Sequence, residues 1–504
     1  MTFSALGGPQ PKDDDPRAQS LGRDLCLLNS IIVSQTIAIA RNTIIQTAGK
    51  IISIALGWVI LLILTNYLGA AGFGSYTIMS AYLQFFAVAA DLGFVLVSAQ
   101  LLAERPDDKD KVFANLLTFR LVTALVLFLA PFGIWLFPYS LLIKQGVVIL
   151  TISFFVIALL QVFTGLFQKE LSMGRALTGE LLGRVVLLVA VSITLFAGRG
   201  LLFVVWGVVF GSLANLLLAA LLARRFVKIS LAWDKAIWLA IWQRSWPIAL
   251  GIVFNLVYLK ADTLILSLTR SEAEVGIYGA TYRVFEVLIT FPTMFAGLLL
   301  PILAAAWARQ DLAVFRQTLQ RSLDVVIYLA WPLVVGVAFT APRLSALFGP
   351  EFRSAGTILF MVVVATSIVF VGTFLGHVIV AIGRQRSMIW AYALTACISL
   401  IGYLIFIPAY GAYGAAGMTI MAEFIMAALG YIMLGHFIGE RPSLNKFGTA
   451  IVATVPMAAF LWIFSSWPLV ILIFGSMIIY LIMLYWLGAL TREFVVQLLI
   501  DKKI

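Results

Sequence analysis

The 504-residue sequence predicts an all-α integral membrane protein of about fourteen transmembrane helices. It further predicts two pseudo-symmetric six-helix bundles, V-shaped around a central cavity, and two additional C-terminal helices. Three observations carry this expectation. Residues are 62% hydrophobic and only 11% charged, against roughly 25% charged for a soluble domain, and no water-soluble fold of this length could hide that much apolar surface. Apolar runs of about 20 residues, enough for a helix to cross the hydrocarbon core, recur fourteen times along the chain. A short motif also returns after 202 residues.

Taken in order, the tail over 1–43 opens with KDDDPR (12–17), which is expected to be disordered. The stretch LCLLNSIIVSQTIAIA (25–40) has the outline of a signal peptide, with basic residues before it and Ala38-Ile39-Ala40 at its end. Cleavage there would invert the charge tally given below. The polar residues Asn29, Ser30, Ser34, Gln35 and Thr36 predict instead a helix lying on the membrane surface. Spans 1–6 follow at 44–66, 73–98, 112–137, 147–167, 177–198 and 201–222, forming an N-terminal bundle over 44–222. A basic linker at 223–245 leads to spans 7–12, at 246–268, 277–303, 324–341, 356–381, 387–407 and 412–436, a C-terminal bundle over 246–436. Spans 13 and 14 (447–465 and 468–488) fill the segment 437–488, and a tail runs over 489–504.

Basic residues set the orientation. With both termini in the cytoplasm, 24 of the 34 Lys and Arg residues fall in cytoplasmic segments, five in outside loops and five within helices. That asymmetry follows the positive-inside rule. The net charge of +11 therefore reads as basic cytoplasmic loops facing anionic membrane lipid, and not as nucleic-acid binding. The repeat pairs AGFGSYTIMSA (71–81) with AEVGIYGATYR (273–283), matching Gly74 and Tyr76 to Gly276 and Tyr278. A looser likeness joins FAGRGLLFVVWG (196–207) to IPAYGAYGAAGM (407–418). Six helices separate the copies, so both keep one orientation, about a pseudo-two-fold along the membrane normal.

Ten ionisable residues fall well inside the spans: Lys50, Asp91, Arg120, Glu180, Arg184, Lys260, Asp262, Arg283, Glu286 and Glu423. Each is costly in hydrocarbon and needs a partner or a wet cavity. Lys260 and Asp262 sit two residues apart on one helix and cannot satisfy each other. Depth, at ~1.5 Å per residue, matches Asp262 to Arg283 and Lys260 to Glu286 across spans 7 and 8. It also matches Asp91 to Arg120, while Glu180 and Arg184 form an i, i+4 pair in the favourable order. Lys50 has no depth-matched partner, and snorkels to the cytoplasmic face or reaches the cavity. Two readings stand. The pairs lock helices together, or Lys50, Arg120, Arg184, Lys260 and Arg283 line a cavity for an anionic head group, with the carboxylates as charge partners. Glu423 stands alone near the midplane, a candidate for carrying a coupling ion or a neutral, hydrogen-bonded group.

Other features are weaker. Gly207-x-x-x-Gly211 and Gly372-x-x-x-Gly376 are expected to be close helix contacts, and His377 and His436 to be interfacial. Cys26 and Cys397 lack any spacing for a disulfide framework or a metal. No nucleotide-binding motif appears, and no catalytic residue, metal or cofactor is expected. Glu272 and Glu274 form the one acid pair in an outside loop, which a membrane glycosyltransferase could use on a metal.

Several of these segments resemble the polysaccharide transporter (Wzx-type flippase) branch of the multidrug/oligosaccharidyl-lipid/polysaccharide exporter superfamily. They are LTNYLGAAGFGSYTIMSA (64–81), ADLGFVLVSAQLL (90–102), ADTLILSLTRSEAEVGIYGATYRVFEVL (261–288), LFGPEFRSAGTILF (347–360), AIGRQRSM (381–388) and IPAYGAYGAAGMTIMAEF (407–424). The resemblance implies a carrier that flips undecaprenyl-pyrophosphate-linked oligosaccharide across the bacterial inner membrane through a cationic cavity. It further implies alternating access, H+ or Na+ coupling in some members, and work beside a polysaccharide polymerase and chain-length machinery. Glu423 matches no coupling residue of the family. The Arg-rich first helix of the related lipid II flippases is absent at 44–66, where Lys50 is the only charge. A multidrug antiporter of the same superfamily is the second expectation. A glycosyltransferase or O-antigen polymerase is the third, weakened by the longest outside loop, 342–355, being too short for a catalytic domain.

Overall fold

The computed structural model describes the backbone of residues 16–91 and 93–489, and side chains from 48 onward except those of 89–92, 247, 248, 250, 251 and 255. The tails 1–15 and 490–504, Cys26, the polar side chains of 25–40 and the side chain of Asp91 lie outside the described residues. All regular structure among the described residues is helical, and thirteen helices are long and apolar enough to cross a membrane.

The first helix, α1 (Pro16–Asp91), runs through a single non-helical residue, Gly69 (φ 65°, ψ −176°). Its apolar part, Ala48–Val88, has 41 residues, about 60 Å of helix, twice what one crossing requires. Gly69 thus divides spans 1 and 2, and the six-residue loop expected there is one glycine. Gly93, with φ 65°, ends the second span early and opens α2 (Phe94–Glu104). The third span is α-helical only over α3 (Lys109–Ala124) and then tightens into 3₁₀ turns on either side of α4 (Ala130–Gly133). Pro131 explains this, because its ring and missing N–H cannot continue the preceding α ladder.

Next come α5 (Leu141–Lys169), α6 (Met173–Phe196) and α7 (Leu201–Ala223). A Cβ on Gly183 would lie 2.7 Å from the Gly211 carbonyl oxygen, so α6 and α7 touch through their backbones. Gly372 and Gly376 make only ordinary contacts. The helix after the linker, α8 (Lys235–Thr269), starts eleven residues before span 7, with Asp234 accepting from the Ala236 and Ile237 amides at 2.9 and 3.3 Å. Span 8 is broken at Ile289 into α9 (Glu272–Leu288) and α10 (Thr290–Ala308). The rest are α11 (Leu312–Ala346), α12 (Gly356–Ala381), α13 (Gln385–Tyr410), α14 (Ala412–Ile438), α15 (Lys446–Ile463) and α16 (Leu469–Trp486).

Three apolar cores organise these helices. The largest joins both halves of the chain at the end farthest from the linker, bringing Phe73 and Tyr82 together with Tyr278, Phe285, Phe352 and Tyr403. Toward the linker end the halves keep separate cores. One holds Phe94, Phe113, Phe163 and Ile241, the other Leu303, Phe315, Phe374 and Leu472. At the far end Gly74 lies against Gly276, where a Cβ on Gly74 would lie 1.7 Å from the Glu272 carbonyl oxygen. The Gly-x-Tyr repeat is therefore where the two halves meet.

Candidate functional site

Two carboxylates gather the helix charges. Glu180 on α6 receives Lys50 Nζ at 3.2 Å, Arg184 at 3.3 Å and the Ser53 hydroxyl at 2.5 Å. Lys50 therefore has the partner that depth matching denied it, and Ser53, one turn along the same face of α1, completes the cluster. Glu286 on α9 receives Lys260 Nζ at 2.5 Å and Arg283 at 2.6 Å. Lys260 also lies 4.5 Å from the centroid of the Tyr282 ring. These side chains are only partly buried, with exposures between 16% and 39%. Each triad sets one carboxylate between a lysine and an arginine, leaving one net positive charge on partly exposed side chains.

The expected Asp262–Arg283 pair does not form. Asp262 is fully buried and accepts from the Tyr278 hydroxyl at 2.5 Å, the Thr263 amide at 2.5 Å and the Thr263 hydroxyl at 3.1 Å. Arg283 turns to Glu286 on its own helix. Tyr278, the tyrosine of the repeat, is thus the residue the charge pattern missed. Its signal was present in the motif, although tyrosine carries no charge to match. Lys260–Glu286 forms as the depths indicated, and Glu180–Arg184 as its i, i+4 spacing indicated.

Arg120 is 1% exposed. Its Nε donates to the Ala158 carbonyl at 2.9 Å, an Nη donates to Gln161, and the guanidinium lies 5.2 Å from the centroid of the Phe94 ring. These contacts hold α3 to α5 and α2, inside the packing and away from open space. Glu423, 5% exposed on α14, has one carboxylate oxygen without a hydrogen-bond partner among the described residues. The acids Glu272 and Glu274 serve structure. Glu272 accepts from Ser75 at 2.5 Å and from Ser140 at 3.4 Å, while Glu274 accepts from the Ala412 amide at 2.8 Å. Their carboxylates face different helices and do not form a shared metal pair.

An apolar cleft of about 790 Å³ opens between α11, α15 and α16, lined by residues such as Leu333, Val337, Met457, Leu461 and Met477. It offers a hydrocarbon chain a wall without charge.

Comparison with known proteins agrees with this architecture. The chain is 26% identical over 210 residues to AglR, a probable flippase of Haloferax volcanii, a match covering 41% of this chain and 44% of that one. The chain thus spans under half the length of that relative. Lipid II flippase MurJ in its inward closed conformation superposes with a TM-score of 0.73 at 14% identity, over 87% of this chain and 98% of that one. An inward-facing multidrug resistance MATE transporter of the MOP superfamily superposes at 0.68, also at 14% identity, over 79% and 98%. At that identity these two establish the fold. Residues 39–307, just over half of the chain, match the family described as "Polysaccharide biosynthesis protein". The chain is a multi-pass membrane protein and belongs to the polysaccharide biosynthesis protein family.

Proposed function

We propose that this protein is a flippase that moves a lipid-linked oligosaccharide, carried on undecaprenyl pyrophosphate, across the bacterial inner membrane for polysaccharide or lipopolysaccharide synthesis. One observation carries the reading: the two partly exposed triads, Lys50–Glu180–Arg184 and Lys260–Glu286–Arg283, stand on helices of both halves and each keeps a net positive charge. Several cationic donors held by a carboxylate suit a pyrophosphate, which binds by charge-assisted and forked hydrogen bonds. The polyprenyl tail stays in lipid along the apolar cleft between α11, α15 and α16. Arg120 braces the N-terminal bundle in this scheme, and Glu423 carries the coupling H+ or Na+.

Both termini and the linker lie in the cytoplasm under this proposal, so the shared core closes the outer side and the head group enters between the separate cores. Rocking of the bundles then exposes the sugar to the far side. A polymerase and chain-length machinery would take the product.

The test uses purified protein in liposomes, comparing movement of a polyprenyl-pyrophosphate oligosaccharide with proton-driven uptake of a cationic dye. Movement of the lipid-linked sugar without dye uptake is expected. Dye uptake alone would overturn the flippase and make the protein a drug antiporter.

A further inference from the structure

The linker is a fastened strap with two different faces. Its backbone is fastened to α3: the Lys228 amide donates to Asp110 at 2.9 Å, the Ala232 amide to the Thr118 hydroxyl at 3.0 Å and the Asp234 amide to Asn115 at 2.6 Å. Ion pairs add Lys111–Asp234 at 2.6 Å and Arg244–Glu104 at 2.7 Å. Lys111 holds the Asp234 carboxyl below the usual carboxylate range, and Arg244 does the same for Glu104. Val227, Ile237 and Ile241 turn inward into the core of this half.

Its other face is apolar and basic together. Ile229, Leu231, Trp233, Leu239, Trp242 and Trp246 are exposed, Trp233 by 70%. Lys235, Leu239, Trp242 and Trp246 follow at i, i+4, i+7 and i+11, one stripe on the first turns of α8. Arg224, Arg225, Lys228 and Lys235 are exposed, and none of them is in an ion pair among the described residues. Of the nearby acids, Asp110, Asp234 and Glu104 are spent on fastening the strap.

We propose that this face of residues 224–246 is a docking surface for anionic phospholipid, with Trp and Leu side chains entering the headgroup boundary and the four unpaired cations meeting lipid phosphates. Tryptophan and leucine beside unpaired lysine and arginine is the composition of an interfacial element, and each such cation near an anionic surface adds to binding. The strap is fixed to α3 and continues into α8, so lipid bound here grips the N-terminal half while α8 leads into the other. The proposal rests on the strap's geometry and holds whether or not the protein flips a sugar lipid.

The test is native mass spectrometry of the full-length protein in detergent, supplied with phosphatidylglycerol or phosphatidylcholine. Wild type is expected to retain phosphatidylglycerol in preference by roughly tenfold or more, and to lose that preference at high salt. The variant R224Q/R225Q/K228Q/K235Q should show no preference, while R384Q/R386Q, on another loop at the same end, should keep it. An undiminished preference in the fourfold variant, or one that survives high salt in wild type, would overturn the proposal. So would displacement of phosphatidylglycerol by polyglutamate, which would assign the strap to an acidic protein partner. The salt series needs no variant, so a misfolded mutant does not end the test.

Discussion

Asp262 and Arg283 share a depth yet not a direction, and the difference separates their roles. Tyr278 and Tyr282 lie on the face of α9 that meets α8, where Tyr278 reaches Asp262 and Tyr282 donates to the Leu259 carbonyl at 2.6 Å. Arg283 is turned roughly 100° from Tyr282 and finds Glu286 instead. Arg283→Ala should therefore leave Asp262 satisfied. It is expected to lower transport in liposomes by at least about tenfold while thermal unfolding in detergent barely moves. Tyr278→Phe should do the opposite: it removes one donor from a buried carboxylate, lowering stability by about 1–3 kcal/mol. Equal loss of stability in both variants would return Arg283 to a structural role. Depth matching found Lys260–Glu286 because axial position decided that pair, and it missed Lys50–Glu180 through an error in one helix end. The sequence places the start of span 5 at 177, but α6 begins at Met173, and four residues are about 6 Å of depth.

Helix ends show the same limit one scale up. Span 12 begins where the sequence places it, at Ala412, because Gly411 stops the preceding helix with a positive φ of 58°. Gly69 does the same between spans 1 and 2, but Asn66, Gly72 and Gly74 stand within a few residues of it, so the sequence offers several turn positions and the turn could not be read to one residue. Both turns share a device invisible to local sequence. The first amide after each glycine is capped by a distant carboxylate: Ala70 by Glu351 at 2.7 Å, and Ala412 by Glu274 at 2.8 Å. The open N–H groups of a helix start favour such an anion. Gly69 holds φ 65° with ψ −176°, a region almost closed to residues with a Cβ, so Gly69→Ala should lower stability by about 1–3 kcal/mol. Glu351→Ala should lower it by about 1 kcal/mol through the lost cap. Thermal unfolding in detergent reads both, and a neutral Gly69→Ala would mean the turn tolerates another geometry.

For the molecule as a whole, fold class and helix count were legible in composition and periodicity, while the repeat showed only that two halves exist. The contact between the halves depends on atoms the repeat does not specify: Gly74 against Gly276, Ser75 donating to Glu272 at 2.5 Å, Tyr139 beside Ser267 at 2.7 Å, and Asn66 donating to the Leu347 carbonyl at 2.9 Å. This closed end has glycine backbones in contact and short polar links, with the Glu272 and Glu351 carboxylates each held by a hydrogen bond from the other half. Such an interface can part and re-form, as alternating access requires. A protein carrying S75C/E272C in a C26A/C397A background tests it. A short bifunctional thiol reagent should link the two halves in detergent, and the linked protein should no longer move lipid-linked oligosaccharide in liposomes. Cleaving a reducible version of the linker should restore movement, which separates a locked interface from a damaged one. Full transport by the linked protein would mean that the far end stays shut throughout the cycle, and the rocking of the two bundles would have to be replaced by a path along the lipid-facing cleft.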